Sequence, residues 1–218
     1  DELLEELPTS LKNEMNLPQE KLLRLYEIYS QELINIHLGQ GMDIAWHRGL
    51  CRPSGVNEYL QMCAFKTGTL ARIAAKFGAV VADAEDEVVV KMGRLAEGIG
   101  IAFQIQDDIL DLVAGGRKWG KAYGNDIHEG KHTLMVIHVL QNASKKDAQR
   151  LLKILDMHTN DKHLIGEAIG IMRAAGSIEY AKGFAKSMVR DAWKEAEPFL
   201  KKKDVLRAFA DFAVEREY

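Results

Sequence analysis

Proline is scarce in this chain, with four in 218 residues, at positions 8, 18, 53 and 198. All four suit helix starts or breaks, and so few breakers leave long stretches free to stay helical. Cysteine is scarcer still. Cys51 and Cys63 stand twelve apart with no CxxC pair, which argues against a disulfide framework or structural zinc site and fits a reducing, cytoplasmic setting. No apolar run approaches the roughly 20 residues that span a bilayer, and the acidic start Asp1-Glu2-Leu3-Leu4 lacks the character of a signal peptide. Nor does one sign of charge dominate. Lys and Arg number 29 against 32 Asp and Glu, a formal net charge of −3, so no basic field points to nucleic acid. The run Lys201-Lys202-Lys203, closed by Asp204, fits a solvated helix end. There is no alternating pattern long enough for a strand, no internal repeat and no low-complexity linker.

What remains is helical periodicity. From Pro18, the residues Leu22, Leu25, Tyr26, Tyr29, Leu33 and Ile36 recur at threes and fours, the spacing of an amphipathic helix. Arg52-Pro53-Ser54-Gly55 breaks the chain, and a second helix is predicted over Val56–Val81. Asp83, followed by Asp86, reads as the N-cap of a third, long helix reaching about Val113. Val88-Val89-Val90 has strand propensity, but its flanks keep helical spacing. A glycine-rich stretch from Gly115 to Gly130 reads as one long loop, and long loops inside compact domains are usually functional. Helices resume at Thr133–Gln141 and at Lys145–Met157, the latter capped by Ser144 with Asp147, and Asp161, Ser177 and Lys203 open three more. The expected fold is all-α, a bundle of antiparallel helices in a single domain over residues 1–218.

The third helix carries Phe103-Gln104-Ile105-Gln106-Asp107-Asp108-Ile109-Leu110-Asp111. Gln104, Asp107, Asp108 and Asp111 fall at i, i+3, i+4 and i+7, on one helical face. Carboxylates set among Ile101, Ile105, Ile109 and Leu112 repel one another and resist burial unless a cation neutralises them, and a hard divalent ion with oxygen ligands, above all Mg²⁺, meets that need. A solvent-facing acidic stripe is the competing reading, weakened because no Lys or Arg stands at i+4 to accompany it. An EF-hand is excluded, since its loop spacing and glycine are missing. Two more stripes mix polar groups into apolar faces: Tyr59, Met62, Cys63, Lys66, Thr67 and Leu70, and Ile36, Gly39, Gln40, Asp43 and His47. A lysine such as Lys66 in that setting either snorkels to the surface or meets an anion. The glycine-rich stretch then supplies Lys121 and Lys131. Gly115 to Lys121 nearly matches a P-loop, but Ala122 stands where the Mg²⁺-binding Ser or Thr belongs and a helix, not a strand, precedes it.

Taken in order, Gly39-Gln40-x-x-Asp43, Tyr59-x-x-Met62 with Lys66-Thr67, Phe103-Gln104 with Asp107-Asp108-x-x-Asp111, and Gly120-Lys121…Gly124-x-Asp126…Gly130-Lys131-x-Thr133 resemble the trans-isoprenyl diphosphate synthases. Gly39–Trp46 is most similar to the geranylgeranyl diphosphate synthases, and Leu206–Arg216 is similar to the family's C-terminal helix. The resemblance covers nearly the whole chain. It implies the isoprenoid synthase type of helical bundle and a head-to-tail condensation of isopentenyl diphosphate with an allylic diphosphate. It also implies Mg²⁺ held by Asp107, Asp108 and Asp111, and diphosphate contacts from Lys66, Lys121 and Lys131. Thr67 and Gln104 would face the allylic cation, Phe103 would lie beside the isopentenyl substrate, and Gln40 and Asp43 near the metal cluster. A homodimer is implied as well.

One departure stands out. Before Gly39 the only aspartate is Asp1, with neither a DDxxD nor an Arg-Arg pair, so the family's first aspartate motif and its N-terminal isopentenyl-binding residues have no counterpart here. The chain is thus expected to be a portion of a longer synthase or a short non-catalytic paralogue or regulatory subunit of a heteromeric one. A terpene synthase of related fold or an unrelated helical scaffold is the remaining reading. Product length is not legible, because its determinants in the family adjoin the first motif.

Overall fold

A computed structural model describes residues 17–113, 124–200 and 203–216. Among the described residues every regular element is helical, and the order is α1 (Gln19–His47), α2 (Val56–Cys63), a π-helical segment (Ala64–Gly68), α3 (Thr69–Val81), α4 (Asp86–Val113), α5 (Asn125–His128), α6 (Leu134–Asn142), α7 (Lys145–Asp156), α8 (Lys162–Ala174), α9 (Ser177–Ala196), a 3₁₀ turn (Glu197–Phe199) and α10 (Asp204–Glu215). The all-α bundle expected from periodicity is the fold observed, and Val88–Val90 lies inside α4.

The starts of several helices follow from local chemistry. Thr133, Ser144 and Asp161 each accept a backbone N–H of the first turn, from Val136, Asp147 and His163 respectively. The Ser144 hydroxyl also donates to the Asp147 carboxylate at 2.7 Å, which fixes the cap from both sides. Three expectations need correction. Asp83 does not cap α4. It adopts a left-handed conformation (φ 56°) and closes α3 instead, with its N–H donating to the Val80 carbonyl and that of Ala84 to the Ala79 carbonyl. Asp tolerates this region better than most residues. Ser177, by contrast, opens α9 as expected, being its first helical residue after the left-handed Gly176. The second predicted helix is interrupted by the π segment, and the stretch predicted as a loop to Gly130 ends in the short helix α5.

With 28 residues, α4 runs roughly 40 Å through the middle of the bundle. Helices α3, α9 and α10 and the π segment all pack against it. Its Ile105, Ile109 and Leu112 are fully buried among Leu134, Met135, Ile154 and Ile169 from α6, α7 and α8, each contributing about 1.5–3 kcal/mol on burial. A second, smaller cluster of Leu25, Val80 and Val89 closes the far end of α1, α3 and α4. Between those ends the π segment is held by two glycines. A Cβ on Gly39 of α1 would lie 2.4 Å from the Lys66 nitrogen, and one on Gly100 of α4 would lie 2.9 Å from the Gly68 Cα. Backbones this close leave no room for any side chain.

Candidate functional site

That close approach sets Lys66 and Thr67 between α1 and α4. A π turn shifts the helical phase by adding a residue to the ring, and here it aims consecutive side chains at two different helices. The Lys66 ammonium meets the Asp43 carboxylate of α1 at 2.5 Å, so this lysine meets an anion rather than snorkelling away. The Thr67 hydroxyl donates to Gln104 Oε1 at 2.8 Å. Gln104 Nε2 in turn donates to Asp108 Oδ1 at 2.9 Å, and the Tyr59 hydroxyl donates to Asp108 Oδ2 at 2.8 Å. A chain of polar groups thus crosses from the π segment to α4 and back to α2, inside an apolar shell.

Each aspartate of α4 has its own surroundings. Asp108 is 5% exposed. Burial, and then the nearby Asp126 carboxylate, pushes its carboxyl up to about 8, against its bonds from Gln104 and Tyr59. Burial followed by the Asp108 charge likewise raises the Tyr59 hydroxyl and the Cys63 thiol well above their usual ranges, so Tyr59 stays a donor. Asp111 accepts the backbone N–H groups of Asn125 (3.1 Å) and Asp126 (3.0 Å) at the start of α5. Burial and Asp126 still push it up to about 6. Asp107, whose side chain is 40% exposed, pairs with Arg216 at 2.9 Å. Lys131 bridges Asp126 (2.7 Å) and Glu129 (2.8 Å). Burial lowers its ammonium, but these two carboxylates outweigh that and raise it.

Lys66, Thr67, Gln104, Asp43 and Asp108 are therefore brought together, with Asp111 and Lys131 linked to them through Asp126. Phe103 is half-buried on α4 and Gln40 is exposed on α1. Lys121 lies outside the described residues. Among the described residues no group of three or more His, Cys, Asp and Glu side chains is placed to hold one metal ion, because Asp107 turns to Arg216 and Asp111 to the α5 amides. The donor set nevertheless fits a hard divalent cation. It is all oxygen, and two of its carboxyls are raised by burial and by a neighbouring like charge that such a cation would relieve. Tyr59 and Arg216 take part although the sequence assigned neither a role. Tyr59 already stood in the stripe with Lys66, and its spacing could have assigned it. Arg216 sits 109 positions from Asp107, and no local pattern points to it.

A second buried ionic group lies further along the same helices. Arg72 of α3 donates from Nε and Nη2 to Glu32 of α1 at 2.8 and 2.5 Å and also pairs with Glu97 of α4, while Lys76 reaches Glu32 at 3.0 Å. Arg72 Nη1 also donates to the Ala64 carbonyl at 3.2 Å, and the Thr69 hydroxyl to the Phe65 carbonyl at 2.6 Å. The network thereby anchors the π segment from below. Burial pushes Glu32 up, but the bonds from Arg72, Asn35 and Lys76 outweigh it and bring the carboxyl down to about 2. An open groove of about 660 Å³ runs beside this network, lined by Phe65, Glu97, Ile101 and Met188 among others.

Residues 3–172 match the profile of the polyprenyl synthetase family. A short chain isoprenyl diphosphate synthase of Methanothermobacter thermautotrophicus is 38% identical over 188 residues, covering 85% of this chain and 56% of that protein. A geranylgeranyl diphosphate synthase of Sulfolobus acidocaldarius is 30% identical over 204 residues, covering 92% of this chain and 61% of its own length. Among solved structures, geranylgeranyl pyrophosphate synthetase from Pyrococcus horikoshii superposes with a TM-score of 0.80 at 35% identity, covering 93% of this chain and 61% of that one. The chain thus spans less than two thirds of the length of these relatives.

Proposed function

The chain belongs to the polyprenyl synthetase family, and from that membership we propose that it acts in prenyl transfer. The reaction is the head-to-tail condensation of isopentenyl diphosphate with an allylic diphosphate, giving a short-chain isoprenyl diphosphate such as geranylgeranyl diphosphate. The observation that supports this reading best is the polar chain Thr67–Gln104–Asp108–Tyr59, set in an apolar shell and flanked by Lys66 and, through Asp126, by Lys131.

Ionisation of an allylic diphosphate builds negative charge on the leaving group and positive charge on the carbon chain. Lys66 and Lys131 would favour the first, supplying ammonium charge to the departing diphosphate in a site of low dielectric. Lys121 belongs with them by its motif. The Thr67 hydroxyl and Gln104 carbonyl present oxygen dipoles to the second, and the surrounding apolar side chains keep water from the cation. Mg²⁺ bound at Asp107, Asp108 and Asp111 would supply the charge that holds and activates the diphosphate. Asp43 holds Lys66 in place until substrate arrives, with Gln40 one turn away on the same helix. Phe103 offers its ring to the isopentenyl group. All of this belongs to one helical prenyltransferase domain over residues 1–218, acting in the cytoplasm. A homodimer is supported by the exposed apolar residues Leu23, Tyr26, Ile34 and Leu38 along α1, and a solution mass measurement checks it.

The test is incubation of the chain with isopentenyl diphosphate, Mg²⁺ and each of dimethylallyl, geranyl and farnesyl diphosphate. Elongated diphosphate, lost on chelation of the metal, is the expected result. Absence of product with all three would overturn the reading. Turnover that appears only on addition of a second synthase chain would make this chain the non-catalytic subunit.

A further inference from the structure

We infer that Arg216 is a positioning residue, which clamps the turn of α4 bearing Phe103, Gln104, Asp107 and Asp108 and ties α10 to the candidate site. The guanidinium carbon lies 3.6 Å from the centroid of the Phe103 ring. Nη2 donates to the Phe103 carbonyl at 3.2 Å and to Asp107 Oδ1 at 2.9 Å. The main chain joins in, because Gln106 Nε2 donates to the Arg216 carbonyl at 2.7 Å. One residue therefore engages α4 at 103, 106 and 107, which at i, i+3 and i+4 share one face of the helix, and so holds that face of the turn in place.

The setting distinguishes this pair from an ordinary surface contact. An exposed arginine–aspartate pair contributes little, since water screens it and both side chains lose freedom. Here the arginine side chain is 4% exposed while Asp107 keeps 40%. The charge buried is the one that also stacks on an aromatic face, and a guanidinium tolerates that desolvation better than an ammonium because it is planar and weakly hydrated. The Arg216 guanidinium lies over the ring of the half-buried Phe103 and covers one of its faces. Asp107 thus serves two ends: an oxygen donor of the α4 aspartate set and the counter-ion that seats the end of α10. Lysine cannot replace Arg216, since it lacks both the flat face and the forked donors.

The kinetic consequence rests on the prenyl-transfer reading, whereas the clamp itself does not. In steady-state assays of the full chain with Mg²⁺, Arg216→Lys and Arg216→Ala should raise KM for isopentenyl diphosphate about ten-fold through misplacement of Phe103, with KM for the allylic diphosphate within about two-fold. Leu206→Ala, which loosens α10 against the core elsewhere, should show no such split. Equal changes in both KM values, no change, or the same split in Leu206→Ala would overturn the positioning role. Independently of turnover, amide hydrogen exchange of residues 204–215 should quicken about ten-fold in Asp107→Ala, and unchanged exchange there would overturn the clamp. A wild-type chain that makes no product refutes the prenyl-transfer reading, while the exchange measurement still decides the clamp.

Discussion

Glu32 and Asp108 are both carboxylates withdrawn from water, 2% and 5% exposed, on helices of the same bundle, yet the fold treats them oppositely. Around Glu32 the cations Arg72 and Lys76 and the donor Asn35 converge, and together they overcome burial and bring the carboxyl down to about 2. Around Asp108 the hydrogen-bond donors, Gln104 and Tyr59, are neutral, and burial with the Asp126 carboxylate outweighs them and the pull of Lys131, so the carboxyl rises to about 8. Where charge is matched within the chain, the interaction serves the structure: it joins α1, α3 and α4 and holds the carbonyls of Ala64 and Phe65 in the π segment. Where burial and a neighbouring like charge prevail, the repulsion remains for a cation or a cationic ligand to relieve, which is the pattern of a functional site. The first group supports the second, because the π segment it anchors carries Lys66 and Thr67.

The largest effect expected is on turnover. Asp108→Asn should cut condensation by about 10³-fold while the thermal midpoint holds, since the amide oxygen still accepts from Tyr59 and the buried side chain is already largely uncharged near neutral pH. Activity and stability falling together would erase the contrast between the two ends. Next in size is Arg72→Met, which leaves the buried Glu32 with Lys76 and Asn35 alone and removes the Arg72 partner of Glu97, and should cost about 3–5 kcal/mol in denaturant unfolding. Combining it with Glu32→Leu should recover most of that loss, because replacing a buried pair outright is far milder than orphaning one member. Failure to recover would mean that the network holds the π segment by geometry more than by charge.

Acid sharpens the comparison further. The Glu32 carboxyl is lower in the folded chain than its ordinary value of 4.5, so the unfolded chain binds the proton first. The stability this group contributes is present above about 4.5 and is lost as pH falls from there through about 2. Glu32→Gln should flatten the fall of the thermal midpoint across that window, and an unchanged slope would assign the acid sensitivity elsewhere. The smallest effect belongs to Arg52 and Asp156, an ion pair 2.8 Å long whose partners remain 47% and 54% exposed. Arg52→Ala should shift stability by less than about 1 kcal/mol. A larger loss would show that proximity, and not burial, governs these charges.

Much of the fold was legible from short-range pattern. Periodic apolar residues placed the long helices, and Thr133, Ser144 and Asp161 marked their starts as observed, because a cap is satisfied by amides two or three residues away. Asp83 misled for the same reason in reverse: an aspartate between two helices can cap the second or close the first, and the choice depends on how α3 and α4 meet. The π segment carried no local sign either. It follows from the contacts of Gly39 with Lys66 and of Gly68 with Gly100, which are tertiary. Of the candidate site, the residues on α2, the π segment and α4 were readable as stripes, whereas Glu32 looked like any surface glutamate and Arg216 like any helix-end arginine.

The amino-acid sequence by itself determined the helical class, the single acidic face of α4 and the order of motifs, since these depend on spacing along one chain and on backbone geometry that repeats every 3.6 residues. Only the tertiary structure decided which carboxylates are pulled down by cations and which are pushed up by burial, because desolvation and Coulomb interaction act through space. Asp107, Asp108 and Asp111 lie within five positions of one another, yet one faces Arg216 from the end of α10, one is sealed beneath Tyr59, and one holds the first amides of α5.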